Sequence, residues 1–314
     1  MLRDPLTCNP ASRKRLSLGK TRRTLAEKPF KGSTEMNISS ADSVPSIREA
    51  DATGEVAALY SDIRATLGVP VVNLIWRHLA VFPGGLQWAW ESLKPLYGSG
   101  AIMAEASALR DGLEIPALPG LTTSSLAALG LGSSDVVRIS MILSAYERSN
   151  AMNMIALAAL LARLEGTETQ QDSTARSSAS EAVVKGEMPP LLALDEMEPH
   201  VRALVEALNA VGGRTEILAS MYRHLANWPP YLSVVSALIT PFAADGRLEP
   251  LILGVIAEGR RRAAALSGSL AEPERQPSGE GGEALRAALA QFIDGPIGKM
   301  IAVVPLIKRA MPAA

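Results

Sequence analysis

The sequence WRHLAVFPGGL at residues 76–86 returns in altered form as YRHLANWPPYL at residues 222–232. Both copies read aromatic, Arg, His, Leu, Ala, any residue, aromatic, Pro, two further residues and Leu, and they lie 146 positions apart. Shorter matches at the same offset pair residues 143–146 with 289–292 and residues 154–156 with 300–302. Matches that share one offset indicate an internal duplication. We therefore predict two tandem repeats, at residues 44–164 and 190–310.

Each predicted repeat has the composition of a helical protein. Leu, Ala, Met and Glu dominate, whereas the alternating Val, Ile and Thr of strands are scarce. In the second repeat, residues 201–208 place apolar side chains at i, i+3, i+4 and i+7, which is the spacing of one helix face. Pro83 and Pro229 should end the helix that carries each motif copy. We predict an all-α fold in which two pseudo-two-fold related helical repeats enclose a ligand cleft.

Two polar regions flank or divide these repeats. Residues 1–35 contain nine Lys and Arg against three acidic residues and show no apolar periodicity, which predicts a disordered basic leader. An organellar transit peptide would have a similar composition, although a chain that effectively starts at Met36 is the simpler interpretation. Residues 165–189 are polar and end at a proline, so we predict a flexible linker between the repeats.

Composition excludes several classes of function. The chain has 314 residues and a formal net charge of −1, without the basic surplus of a nucleic-acid-binding protein. Its single cysteine, Cys8, forms no intramolecular disulfide or CxxC site, and three histidines leave little for a metal centre. No uninterrupted apolar run approaches the roughly 18 residues of a membrane-spanning helix. We expect a soluble, cytoplasmic protein with no metal and no membrane or nucleic-acid partner.

The repeated motif has a structural and a functional interpretation. In the structural one, Arg77 and Arg223 pair with a carboxylate or cap a carbonyl, as the fold of either copy demands. In the functional one, positions at which the copies differ carry the chemistry. The second copy has Glu216 and Ser220, which would share a face if they lay on one helix.

The first repeat carries two amides in an otherwise apolar helical run. Asn150 and Asn153 stand where the second copy has Pro296 and Lys299. Buried amides need hydrogen-bond partners, so this pair is a candidate polar site within the core.

From about residue 44 to residue 311, the chain resembles the group I 2-haloacid dehalogenases. The resemblance is carried by Glu55, Tyr60, Ile63, Arg64, Leu67, Val69 and Pro70, by residues 79–84 with Ala89 and Trp90, and by residues 225–229. It implies an all-helical protein that hydrolyses short 2-halocarboxylic acids with inversion of the stereocentre. It further implies that no cofactor, metal or covalent ester takes part, since an aspartate activates the attacking water and an asparagine holds it.

Applied residue by residue, the resemblance places the water-holding asparagine at Asn150 and apolar pocket walls at Val71 and Leu74. The serine before the catalytic aspartate falls on Ser220, and the aspartate itself falls on Met221. A thioether accepts no proton at neutral pH, and loss of a general base typically lowers a rate by about a hundred- to ten-thousand-fold.

Three accounts of function are therefore open. Glu216 supplies a relocated carboxylate for the same hydrolysis, or the protein binds a small apolar acid without hydrolysing it, or it is a scaffold whose cleft is filled by side chains. The expected partner is a small 2-halocarboxylic or similar acid, and a homodimer is compatible with each account.

Overall fold

In the computed structural model, the described residues are 42–167, 182–274 and 276–312. Across these ranges the regular structure is helical and no strand forms, so the predicted all-α class is confirmed. The predicted leader and most of the predicted linker lie outside the described residues. The α-helices of the described ranges are α1 (Gly54–Leu67), α2 (Leu74–Leu79), α3 (Gly85–Gly98), α4 (Ala101–Asp111), α5 (Thr123–Ala128), α6 (Ser133–Glu165), α7 (Pro199–Ala210), α8 (Ser220–Leu225), α9 (Pro229–Ala244), α10 (Leu248–Ala264), α11 (Gly279–Phe292) and α12 (Gly298–Ala310).

Helix α6 forms the centre of the core. It is 33 residues long, and nearly every side chain from Ala145 to Ala162 is buried. Helices α10 and α12 from the second half of the chain and α4 from the first half pack directly against it. Met36–Ala314 is consequently one compact unit rather than two separate bodies.

The two motif copies occupy short helices of equal length. Helices α2 and α8 each contain six residues, and their first residues, Leu74 and Ser220, are 146 positions apart. This correspondence agrees with a duplication, and the pseudo-two-fold relation of residues 44–164 and 190–310 stays a prediction.

The motif prolines follow the helix ends at a short distance. Helices α2 and α8 end at Leu79 and Leu225, four residues before Pro83 and Pro229. Pro229 occupies the first position of α9, where a missing backbone N–H removes no intrahelical hydrogen bond. The prolines thus separate the motif helix from the next helix.

The C-terminal helices include an irregular joint that borders the site described below. Between α11 and α12, residues Ile293–Ile297 form a π-helical turn with Pro296 inside it. The stretch Gly279–Ala310 contains an 18-residue segment apolar enough to cross a membrane, with a mean hydropathy of 1.4, and 72% of that segment is buried inside the protein. A core helix meets the same criteria, and this one packs along α6.

Candidate active site

A small cavity lies where α6, α8 and the π-helical turn meet. Its volume is about 30 Å³, which is room for one water molecule. The apolar part of its wall includes Leu74, Ile75, Ile217, Met221, Phe292, Ile297 and Met300. The polar part comprises Asn73, Tyr146, Asn150, Asn153 and Ser220. No carboxylate belongs to this wall among the residues that the structure describes.

Three amide atoms of the polar wall are buried and have no hydrogen-bond partner within the described ranges: Asn73 Oδ1, Asn150 Nδ2 and Asn153 Nδ2. The orientation of Asn153 is fixed by chemistry, because its Oδ1 accepts a hydrogen bond of 3.0 Å from Trp76 Nε1 and an indole nitrogen can only donate. Asn73 Nδ2 likewise donates to Ser149 Oγ at 3.0 Å. Such a set of donors and acceptors can hold a water molecule.

A second, larger cavity of about 590 Å³ shares Tyr146 and Ser220 with the small one. Its wall includes Val71, Arg77, Arg223, His224 and Asp42. The volume is that of a small-molecule pocket. This larger cavity is not what the account with a cleft filled by side chains predicts, whereas the small cavity beside Asn150 and Met221 is nearly filled, so that account stays a prediction.

Asp42 links the two motif copies. Arg77 Nη1 donates to Asp42 Oδ2 at 2.7 Å, and Arg223 Nη1 donates to Asp42 Oδ1. Ser46 Oγ donates to Asp42 Oδ2 at 2.5 Å. Burial raises the pKa of Asp42, but Arg77, Ser46 and Arg223 outweigh it and hold that pKa below its usual value. Asp42 is thus the counter-ion of both motif arginines, which is the pairing that the structural interpretation predicts, and the functional interpretation stays a prediction.

Next to these arginines, Tyr146 Oη and His224 Nδ1 are joined by a hydrogen bond of 2.8 Å. Burial, followed by the charges of Arg77 and Arg223, lowers the pKa of His224 to about 3. Burial raises the pKa of Tyr146 well above its ordinary value. Both side chains are consequently neutral at pH 7.

The structure brings together most of the residues predicted from sequence. Asn150, Leu74, Ser220 and Met221 all line the small cavity, and Met221 is fully buried there. Val71 lines the larger cavity instead, because the chain is irregular from residue 71 to 73 before α2 begins. The roles assigned to these residues stay predictions.

The prediction for Glu216 is wrong in its geometry. Helix α8 begins at Ser220, so Glu216 lies in the preceding bend and shares no helix face with Ser220. Its side chain is exposed and belongs to neither cavity wall. Nothing in this placement lets Glu216 reach a water held by Asn150.

Sequence reasoning did not single out Asp42, Asn73 or Tyr146. Asp42 lies in a stretch without periodicity, so no local pattern identifies it. Tyr146 could have been found, because it is four residues before Asn150 on the same helix and therefore shares its face.

For metals, the described residues contain no group of three His, Cys, Asp or Glu side chains that could hold an ion.

Known proteins that are similar to this chain are 2-haloacid dehalogenases, in agreement with the resemblance seen in the sequence. No protein-family model matches the sequence. A configuration-inverting 2-haloacid dehalogenase of Alcaligenes xylosoxydans xylosoxydans is 29% identical over 244 residues, which is 72% of this chain and 78% of the relative. A second configuration-inverting 2-haloacid dehalogenase, of Pseudomonas sp. (strain 113), is 28% identical over 203 residues, which is 60% of this chain and 64% of the relative.

Solved structures show the same fold. A D-2-haloacid dehalogenase in complex with L-LA superimposes with a TM-score of 0.69 at 18% identity, covering 89% of this chain and 98% of that one. A mutant D-2-haloacid dehalogenase with D-2-CPA gives a TM-score of 0.63 at 17% identity, covering 88% and 95%. The chain is thus similar in sequence to configuration-inverting 2-haloacid dehalogenases and shares its all-helical fold with D-2-haloacid dehalogenases.

Proposed function

We propose that this protein is a 2-haloacid dehalogenase-like hydrolase that removes halide from short 2-haloalkanoic acids. The observation that carries the proposal is the small cavity of about 30 Å³, whose wall includes Asn73, Asn150 and Asn153, each with one buried amide atom that has no hydrogen-bond partner among the described residues. Amides in this arrangement hold and orient a water, which is what direct displacement of a halide requires. The proposal agrees with the activity named for the relatives in the preceding section.

The walls of the two cavities suit the halogen, the alkyl chain and the carboxylate of such a substrate. Leu74, Ile75 and Phe292 offer apolar surface for the halogen and the alkyl chain. Ser220 belongs to both cavity walls, so its hydroxyl can meet a carboxylate that enters through the larger cavity. When water attacks the carbon that bears the halogen, the carbon–halogen bond breaks, halide leaves with the bonding electron pair, and the proton of the attacking water passes to solvent, since no carboxylate lines the small cavity among the described residues.

The chain departs from the resemblance at the group that accepts the proton of the attacking water, because Met221 stands where an aspartate is expected. Met221 is fully buried in the small cavity wall, and its thioether accepts no proton. Turnover without a general base is expected to be about a hundred- to ten-thousand-fold slower than with one. This favours a second candidate function, in which the protein binds a small apolar acid in the same cleft and hydrolyses it barely or not at all.

One experiment separates the two functions. Full-length protein is incubated with each enantiomer of 2-bromopropionate, bromide release is measured, and thermal unfolding is recorded with the unreactive acid propionate. Bromide release above a heat-inactivated control supports the hydrolase. Stabilisation by propionate without release supports the binding protein. Neither release nor stabilisation would overturn both.

A further inference from the structure

The larger cavity leads from the wall of the small cavity to the protein surface. Tyr146 and Ser220 belong to both walls and are buried. Arg48 and Glu187 belong to the wall of the same larger cavity and are exposed. A molecule that reaches Ser220 with one end therefore has the length of this cavity available for its other end.

Two segments give the larger cavity an apolar wall. Residues 70–72, just before α2, contribute one proline and two valines, and both valines are buried. Residues 188–191 contribute the half-buried Met188 and Leu191 and the buried Pro189. Apolar side chains that stay partly exposed inside a cavity gain free energy when an apolar ligand covers them.

The second of these segments is held in place by the second motif copy. Arg223 Nε donates to Leu192 O at 2.6 Å, and Asn227 Nδ2 donates to Pro190 O at 3.0 Å. The first motif copy has a valine at the position of Asn227, so this side-chain contact is specific to the second copy. The wall at residues 188–191 is therefore formed before a ligand binds, as in most small-molecule sites.

The volumes of the two cavities set the size of the ligand. The small cavity of about 30 Å³ has room for one water molecule, whereas the larger one measures about 590 Å³. Pockets of about 300–1,000 Å³ enclose ligands much larger than a three-carbon acid. A three-carbon acid at Ser220 would thus leave most of the apolar wall uncovered.

The three arginines of the larger cavity wall are paired within the protein. Arg77 and Arg223 both donate to Asp42, and Arg48 pairs with Asp51. A ligand tail with a charge of its own would compete with these pairs or lose its hydration beside the apolar wall. An uncharged hydrocarbon tail has neither cost.

We propose that the larger cavity binds the unbranched hydrocarbon tail of a medium-chain 2-haloalkanoic acid, with Val71, Met188 and Leu191 as the residues that select for tail length. This inference rests on the proposed function, because the reacting end of such an acid lies at Ser220, beside the small cavity. Among the 2-haloalkanoic acids, the preferred substrates then carry longer tails than 2-bromopropionate does.

The test is calorimetric titration of the full-length protein with sodium propionate, butyrate and hexanoate, which share a carboxylate and differ only in tail length. Each methylene that leaves water should raise the affinity about threefold, so hexanoate should bind at least about tenfold more tightly than propionate, with butyrate between them. Equal affinities for the three acids, or no binding of hexanoate at millimolar concentration, would overturn the proposal.

Bromide release separates this inference from the hydrolysis on which it rests. Release is measured in parallel with 2-bromopropionate and 2-bromohexanoate. Release from 2-bromopropionate together with equal affinities for the unreactive acids would overturn the tail site and support the hydrolase. Tighter binding of hexanoate with no release from either bromo acid would overturn the hydrolase and support the tail site.

Leu191 allows a specific test, because it lines the larger cavity, is half-buried and lies outside the main hydrophobic core. Leu191→Trp narrows the cavity and should lower the affinity for hexanoate at least about tenfold, while the affinity for propionate changes less than about twofold. Leu253→Trp is the matched control, since Leu253 is 52% exposed on α10 and belongs to neither cavity wall. Its affinities for both acids should equal those of wild type.

Leu191→Ala decides if the tryptophan variant does not fold. It removes apolar wall without adding bulk, and it should reduce the preference for hexanoate over propionate about threefold. Circular dichroism first establishes that the helices of each variant remain. An unchanged preference in either folded Leu191 variant, or an equal loss of hexanoate affinity in Leu191→Trp and Leu253→Trp, would overturn the proposal.

Discussion

The indole Nε1 of Trp76 donates a hydrogen bond of 3.0 Å to Asn153 Oδ1, from the motif helix α2 to the central helix α6. Since the indole can only donate, the Oδ1 of Asn153 faces Trp76 and its Nδ2 is turned away. Asn153 Nδ2 has no hydrogen-bond partner within the described ranges. A residue of the repeated motif thereby sets the orientation of an amide in the wall of the small cavity. Trp76 thus acts on the small cavity without belonging to its wall.

The Trp76–Asn153 bond should have a measurable effect on stability. Trp76→Phe leaves a fully buried acceptor on Asn153 without a donor, which should lower the free energy of unfolding by about 1–3 kcal/mol beyond the loss of packing. Trp90→Phe is the control, because the Nε1 of Trp90 donates to Asp62, whose side chain is 37% exposed and can be hydrated instead. Urea unfolding of both variants checks this. Equal losses in the two variants would contradict it.

Lys299 is expected to stabilise the end of α7. Its side chain is fully buried, and Nζ donates to the backbone carbonyls of Asn209 at 2.6 Å and Gly213 at 3.0 Å. Burial lowers the pKa of Lys299 to about 8, so part of this stabilisation is offset by desolvation. Lys299→Met should still cost about 2 kcal/mol, because both carbonyls lose their donor.

A surface lysine provides the comparison for Lys299. Lys308 pairs with Glu147 and keeps 36% of its side chain exposed, so Lys308→Met should cost less than about 1 kcal/mol. Chemical denaturation of both variants at pH 7 gives the two values. A Lys299→Met protein as stable as Lys308→Met would refute the role of this ammonium group.

Stability should depend on pH through His224. Its pKa is about 3 in the folded protein against 6.5 for an unperturbed histidine. Between these values the unfolded chain binds a proton that the native state does not, so the free energy of unfolding falls as the pH falls from 6.5 towards 3. Between pH 7 and pH 5 this loss amounts to about 2 kcal/mol.

His224→Asn isolates that contribution. The amide can still bond to the hydroxyl of Tyr146 but does not titrate, and the two proteins are identical at every other position. Wild type should therefore lose about 2 kcal/mol more than the variant between pH 7 and pH 5. Parallel losses in the two proteins would show that His224 is not held neutral.

Local patterns in the sequence predicted much of the fold. The repeated motif and the apolar helical periodicity predicted the helical class, and the motif copies do fall on the matched helices α2 and α8. Asn150 was predictable because an amide in an apolar helical run needs a partner. The resemblance to a known family directed attention to Ser220 and Met221.

The errors and omissions have physical causes. Glu216 was placed on a helix although Gly212 and Gly213, both with positive φ, precede it, and the next helix starts only at Ser220. Asp42 was missed because its partners are 35 and 181 positions away, and no local periodicity encodes such an ion pair. Contacts of this kind depend on how the helices pack.

The central claim is that a thioether occupies the wall position at which this family is expected to carry its proton acceptor. Met221→Asp places a carboxylate there, and Met221→Asn places a group of the same shape that is no base. Bromide release from both enantiomers of 2-bromopropionate is measured for the two variants from pH 6 to pH 9, because burial is expected to raise the pKa of the new carboxyl. We predict that Met221→Asp releases bromide about a hundred- to ten-thousand-fold faster than Met221→Asn with at least one enantiomer. Equal rates in the two folded variants across this pH range would contradict the account.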